Sequence, residues 1–185
     1  MAIRVHGCRL RATVPGVKGE ERAQPPYVGD ERAIVLGFLA FQRDTLRWKI
    51  EGLGKEQLLR PHPPSTMTLL GLVRHLAVVE DSWFNEVFLG EELPEPWASV
   101  DWGADRDWEW HSAGDCPVEE SIALWEAAVA RSNAVIAAHD FDERSAKGKD
   151  RPSLRWIVIH MIEEYSRHNG HADLLREAID GQTGE

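Results

Sequence analysis

Ile159-His160-Met161-Ile162-Glu163-Glu164-Tyr165-Ser166-Arg167-His168-Asn169-Gly170-His171-Ala172-Asp173-Leu174-Leu175-Arg176-Glu177 is the stretch that carries both the architecture and the chemistry of this 185-residue chain. Around it Leu154, Ile157, Met161, Tyr165, Ala172, Leu175 and Ile179 recur at three- and four-residue spacing. Pro152-Ser153 stands before them and Gly181 behind, so the spacing predicts one amphipathic helix over 153–180. At about 100° per residue, with His160 at zero, Glu164 falls near ~40°, His168 near ~80° and His171 near ~20°. The apolar stripe is centred near ~100°, which places His168 in the core-facing sector and Glu164 on its flank. An unpaired buried polar group costs about 1 to 3 kcal/mol and a buried charge more, so these residues need partners.

Working outward, three more segments show helical periodicity. From Asp30, a suitable N-cap, Ile34, Phe38, Phe41, Thr45, Trp48 and Leu53 suggest a stripe over 30–55 closed by Gly52 and Gly54. After Pro63-Pro64-Ser65, a second helix over 68–89 carries Leu69, Leu72, Leu76, Val79, Trp83 and Val87 and ends at Gly90. A third, over 117–139, starts at Pro117 with Glu119 and Glu120 in its first turn and carries Ile122, Trp125, Val129, Ser132 and Ile136. Four long amphipathic segments without a convincing alternating strand predict an all-α protein, a four-helix bundle formed by residues 30–185. Residues 1–29, punctuated by Pro15, Gly16, Gly19, Pro25 and Pro26, are expected to form an N-terminal appendage.

Hydrophobic residues make up 43% and charged residues 28%, a globular composition with no run long enough to span a bilayer. Together with an N-terminus that lacks the pattern of a signal peptide, this leads to an expected cytoplasmic location and no membrane partner. The net charge of −10 argues against nucleic acid as a ligand. The charge is also localised, because residues 91–120 hold ten acids against one base, Arg106. A charge run is ordinarily a solvated loop. Trp97, Trp102, Trp108 and Trp110 lie inside it, however, and large aromatics predict that the connector covers an end of the bundle. Cys8 and Cys116 are too few and too far apart for a disulfide scaffold or a cysteine-based zinc site.

A divalent metal would resolve the conflict on the last helix. Glu164 and His168 are spaced i and i+4, so both can reach one ion with ligand distances near ~2.0 to 2.2 Å. His75, at the edge of the second helix's stripe, is the natural third ligand, and three protein ligands leave a position for water or substrate. Other readings remain open: an intrahelical hydrogen bond between Glu164 and His168, a hydrogen-bonded core His75, or a set that draws in His160 or His171. Two turns separate His160 from His168, about 12 Å along the axis, so both cannot hold one centre on a regular helix.

The segments Met67-Thr-Leu-Leu-Gly-Leu-Val-Arg-His75-Leu-Ala and His160 to Glu177, with Trp83-Phe84 behind the first, resemble the DinB-like superfamily, more narrowly its DUF664 branch. The resemblance covers roughly residues 30–182. It implies an up-down-down-up bundle and a divalent metal, zinc or nickel, held by one ligand from the second helix and two from the fourth. Many members have three histidines. Here position 164 is Glu, closer to the His, Glu, His set of mycothiol-dependent maleylpyruvate isomerase, which maps onto His75, Glu164 and His168. Related proteins use mycothiol or bacillithiol as co-substrate, and a metal can hold such a thiol as the thiolate.

The leading expectation is therefore a metal- and thiol-dependent transferase that acts on a small molecule. Neither Cys8 nor Cys116 lies in a segment that converges on the ligands, so the sulfur arrives with the co-substrate. One alternative is a metal-dependent hydrolase with Glu163 or Glu80 as base. The other is a non-catalytic ligand-binding bundle. A homodimer is compatible with either. An acidic cover over the site would disfavour anionic substrates, so the isomerisation of maleylpyruvate is not carried over to this chain.

Overall fold

The structure is a computed structural model and describes residues 22–184. Within them the chain forms α1 (Glu31–Ile50), α2 (Lys55–Leu58), α3 (Leu69–Asp81), α4 (Trp108–His111), α5 (Val118–Ala138) and α6 (Leu154–Asp180). The protein is all-helical; among the described residues the β-structure is limited to one isolated bridge, Arg144 with Ser153. Expected and observed helix ends agree to about one residue except at the end of α1, which stops at Ile50 instead of reaching 55 because Glu51 is already extended, and the caps explain the agreement. Asp30, Thr68 and Ser153 each accept a hydrogen bond from the backbone N–H three residues on, and Gly90 and Gly181 close helices in the left-handed conformation.

Paired residues give the helix directions. Arg155 meets Glu31, Asn169 meets Gln42 and Asp173 meets Lys49, so α1 and α6 run in step and are parallel. His75 meets His168 while Trp83 meets Trp156, so α3 is antiparallel to α6. Arg43 meets Asn133 and Arg47 meets Glu126, so α5 is antiparallel to α1. The four long helices therefore run up, down, down and up. Because α3 and α5 are parallel, the segment between them must return along the bundle, and it brings residues 108–114 back over the start of α3.

That connector is folded, contrary to the ordinary behaviour of a charge run. It contains a 3₁₀ turn at Trp97–Ser99, the short helix α4 and a second 3₁₀ turn at Ser112–Gly114. Trp97 is buried and its indole N–H donates to Asp81, whose buried carboxylate also accepts from Asn85 and takes a two-pronged bond from Arg131 of α5. One carboxylate thus ties α3, α5 and the connector together.

Two details differ from the sequence reading. The helix over 68–89 changes hydrogen-bonding pattern after Asp81, and Ser82–Leu89 forms a π-helix. The wider turn buries Phe84, Asn85 and Phe88 and leaves Trp83 and Val87 half-buried. On α1 the bundle-facing stripe is Leu39, Arg43, Leu46 and Ile50, about one position round from the one expected. Phe38 is 47% exposed, while Arg22 lies 4.7 Å over Phe41 and 4.4 Å over Trp48. Phe41 and Trp48 therefore face the extended segment entering α1. Part of the expected appendage, 22–29, runs along this helix; a Cβ at Gly37 would come 2.5 Å from Pro26. Residues 1–21 of that appendage, Cys8 included, lie outside the described residues.

Candidate metal centre

The bundle interior is sealed by apolar side chains from α3, α5 and α6, among them Leu72, Leu76, Trp125, Ile157 and Met161. A polar network crosses it. Arg43 of α1 makes a two-pronged bond to Glu80 of α3 at 2.8 and 2.7 Å, Tyr165 of α6 donates to the same carboxylate at 2.8 Å, and Trp125 of α5 donates to Tyr165 at 2.7 Å. Burial and the nearby Glu80 charge hold the Tyr165 hydroxyl well above its ordinary pKa, so it stays a neutral donor. Glu80 is thus fully engaged as a structural anion, and the role of base that the sequence allowed it has no support here.

One turn from Tyr165, His168 lies buried against α3. Its ring centroid is 4.8 Å from that of His75, edge to face, and its Nε2 is 3.5 Å from Glu164 Oε2. Ligating atoms of His75, Glu164 and His168 all lie within 4.8 Å of one another. Burial first, then the neighbouring His75, His171 and Arg167, lowers the His168 pKa to about 4. Its imidazole is therefore neutral at physiological pH, the form that can donate a lone pair. Its Nδ1 is buried without a hydrogen-bond partner among the described residues.

His75 is oriented from the connector. Its Nδ1 lies 2.9 Å from Glu109 Oε1, a bond in which the ring N–H donates to the carboxylate and fixes the orientation of the imidazole. Trp110 stacks on the same ring at 4.9 Å. The neighbouring Arg74 holds this segment down: it donates to the Glu109 carbonyl and to Ser112 Oγ, and lies against the faces of Trp97 and Trp108. Gly71 makes room for the cover, because a Cβ there would stand 2.6 Å from the Trp110 ring. Glu109 is a participant that sequence reading missed. The one available signal was its place between Trp108 and Trp110, the only acid in the run flanked on both sides by tryptophan.

The remaining polar residues of α6 separate by position. His160 stands outside the His75 set, as its two-turn spacing requires, with its ring between Trp83 and Trp156. It groups instead with Glu163 and Glu164, and Glu164 directs Oε1 toward His160 and Oε2 toward His168. Glu163 is exposed and bonded to Arg167 and His160, away from the buried end. His171 tilts against His168 at 5.6 Å without joining the convergent set. Cys116 is a half-buried free thiol at the entry to α5.

The fold and site together define a helical bundle with a His, Glu, His convergence, of which His168 is buried, beneath a tryptophan-bearing connector. A protein-family model described as Mycothiol-S-transferase matches residues 34–181, from the first turn of α1 to the end of α6, and the chain belongs to that family. No curated protein matches the chain. No helix among the described residues is long and apolar enough to cross a membrane.

Proposed function

We propose that this protein is a metal-dependent transferase of mycothiol, a low-molecular-weight thiol, with His75, Glu164 and His168 holding the ion. The observation that carries the reading is the convergence of those three side chains within 4.8 Å, from two helices, at a position where a neutral buried imidazole retains an unpartnered nitrogen. Two imidazoles and one carboxylate are a donor set that zinc and nickel both accept and that leaves a further position open; zinc is the ion proposed. When bound, the ion would supply a Lewis acid that lowers the thiol's pKa and holds its thiolate.

The chain's own residues do the rest. Glu109 keeps the His75 proton on Nδ1 and so fixes the orientation of its ring. Trp110 and the folded connector exclude water from that side of His75, which strengthens every electrostatic contact beneath. Glu164 turns Oε2 toward His168 and Oε1 toward His160, so the oxygen away from the ion could pass the thiol's proton on to His160. Transfer is favoured over hydrolysis because Glu80 is consumed by Arg43 and Tyr165, and Glu163 by Arg167. A cytoplasmic location accords with a free-thiol co-substrate.

The test is the metal content and mycothiol-consuming activity of protein purified without added metal, beside His168→Ala. Stoichiometric zinc and activity in the parent, both lost in a variant that keeps its helical signal, support the reading. Equal metal content in the two would reject the ligand set.

A further inference from the structure

The large apolar side chains that stand exposed on the long helices are Phe38 of α1 and Trp156, Ile159 and Leu174 of α6, and they are not scattered. α1 and α6 pack side by side. On α1, Leu39 and Leu46 turn to the core while Gln42 and Lys49 turn to α6, so at about 100° per residue Phe38 falls just outside that seam. On α6 the inward stripe of Leu154, Met161, Tyr165 and Ala172 leaves Ile159, 50% exposed, and Leu174, 59% exposed, on the opposite face. The four therefore share one surface, the outer side of the α1 and α6 pair, turned away from α3 and α5. Single exposed apolar residues are ordinary, whereas a collected set marks an interaction site.

Between Trp156 and Glu177 the exposed positions of α6 are spaced symmetrically about Ser166 and Arg167. Three residues before Ser166 stands Glu163, and three after Arg167 stands Gly170. Four further out on each side come Ile159 and Leu174, and three beyond those Trp156 and Glu177. A helix with that symmetry fits an antiparallel copy of itself across a two-fold axis. Ile159 then packs on the partner's Leu174, and the same contact occurs twice. Glu163, already bonded to Arg167 of its own chain, comes within a helical turn of the partner's Arg167, so charge is matched as well as shape. Gly170 supplies room for the partner's Glu163. A Cβ at Gly170 would meet nothing within 4 Å, so a single chain has no packing need for glycine there, and glycine weakens a helix interior. What the missing side chain permits is close approach from outside.

We propose that two copies of this protein pair through the outer face of α6, antiparallel about Ser166 and Arg167, with Phe38 of each α1 at the edge of the contact. The inference is independent of the transferase reading. A two-helix face about 32 Å long and about 20 Å wide offers roughly 600 Å² per copy, and so roughly 1,200 Å² in all, the lower bound of stable interfaces. That size belongs to a dimer in exchange with its monomer, and each monomer has a sealed core of its own. The acid-rich residues 91–120 lie on the connector, which packs on α3, and do not meet across this surface. A second copy is favoured over an anionic lipid surface because Glu163 and Glu177 stand among the apolar residues and the chain carries a net charge of −10. The contact ends at Trp156, which stacks on His160 at 5.0 Å, so the partner's Glu177 comes to the outer edge of the metal centre's proton-bearing side.

Sedimentation equilibrium of the full chain should show a monomer–dimer equilibrium with a Kd in the micromolar range. Gly170→Gln adds bulk that the monomer can hold, and Leu174→Glu sets a charge against the partner's Ile159. Each should weaken the dimer at least ~tenfold, and the urea midpoint of Gly170→Gln should stay at or above the parent's, which separates lost pairing from lost folding. The register is read separately in a Cys8→Ser, Cys116→Ser background. Ser166→Cys should form an intermolecular disulfide under mild oxidation, because the two copies of that position lie a single residue apart along the axis. Glu163→Cys, whose copies lie about 10 Å apart along it, should not. A monomer at every concentration up to about 1 mM, a dimer whose Kd is unchanged in Gly170→Gln, or cross-linking through position 163 in preference to 166 overturns the proposal.

Discussion

His75 bonds Glu109 through Nδ1 and also stands in the set with Glu164 and His168, so a residue outside the convergent set orients one of its members. Partners of this kind typically contribute 10- to 100-fold in metal affinity. Glu109→Gln is therefore expected to weaken zinc binding by about that factor with the helical content unchanged, measured by competition with a chromogenic chelator; affinity equal to the parent's would mean that the bond is incidental. His168 makes a separate prediction. Its folded pKa of about 4 lies below the ~6.5 of an unfolded histidine, so between those values the unfolded chain takes up a proton that the fold refuses. Its neutral burial therefore costs the metal-free fold nothing above about pH 6.5 and progressively more as pH falls toward 4. Urea midpoints of metal-free protein should drop across that window, and His168→Gln should flatten the drop; parallel profiles for the two proteins would contradict the assignment.

Among the elements, the four long helices are joined at one point by Arg43, Glu80, Trp125 and Tyr165, one residue from each. Removing one member of a buried ion pair costs about 3 to 5 kcal/mol because the other charge is stranded, whereas replacing both with apolar groups is often neutral. Arg43→Ala should thus be severely destabilised in urea titration, and Arg43→Met with Glu80→Leu should recover most of the loss. No recovery in the double variant would show that the network contributes more than the avoidance of a stranded charge. The same residues explain what the sequence made legible. Helix ends were readable because Asp30, Thr68, Ser153, Gly90 and Gly181 act locally. The face of α1 was not, because its true stripe contains Arg43, a residue that counts as a surface signal until its partner thirty-seven positions away is known. The triad on α6 and α3 could be proposed from one-sided polar spacing. Glu109 could not, since among ten acids in a run its one local mark is the tryptophan on either side, and its contact with His75 is set by the returning path of the connector.

At the scale of the molecule, the parallel arrangement of α3 and α5 forces a long return segment, and that segment supplies the lid and the Glu109 contact to His75. On the proposed ligand set, zinc binding and order in the lid are therefore linked. A ligand that binds only the folded state stabilises it by RT ln(1 + [L]/Kd), about 2.7 kcal/mol at one hundred times Kd. Because Glu109 and Trp110 both bear on His75, that gain should appear also as slower local opening of the segment that carries them. Amide exchange of residues 97–114 in the full chain should slow on addition of zinc, in step with the rise in unfolding midpoint, and neither change should occur in His75→Ala. Gly71→Ala, which drives a methyl group into the Trp110 ring, should raise exchange in the same segment and leave the caps of α1 and α6 untouched. If zinc raised the midpoint while exchange in 97–114 stayed constant, the lid would be a passive cover packed over a site it does not sense, and the link through Glu109 would have to be abandoned.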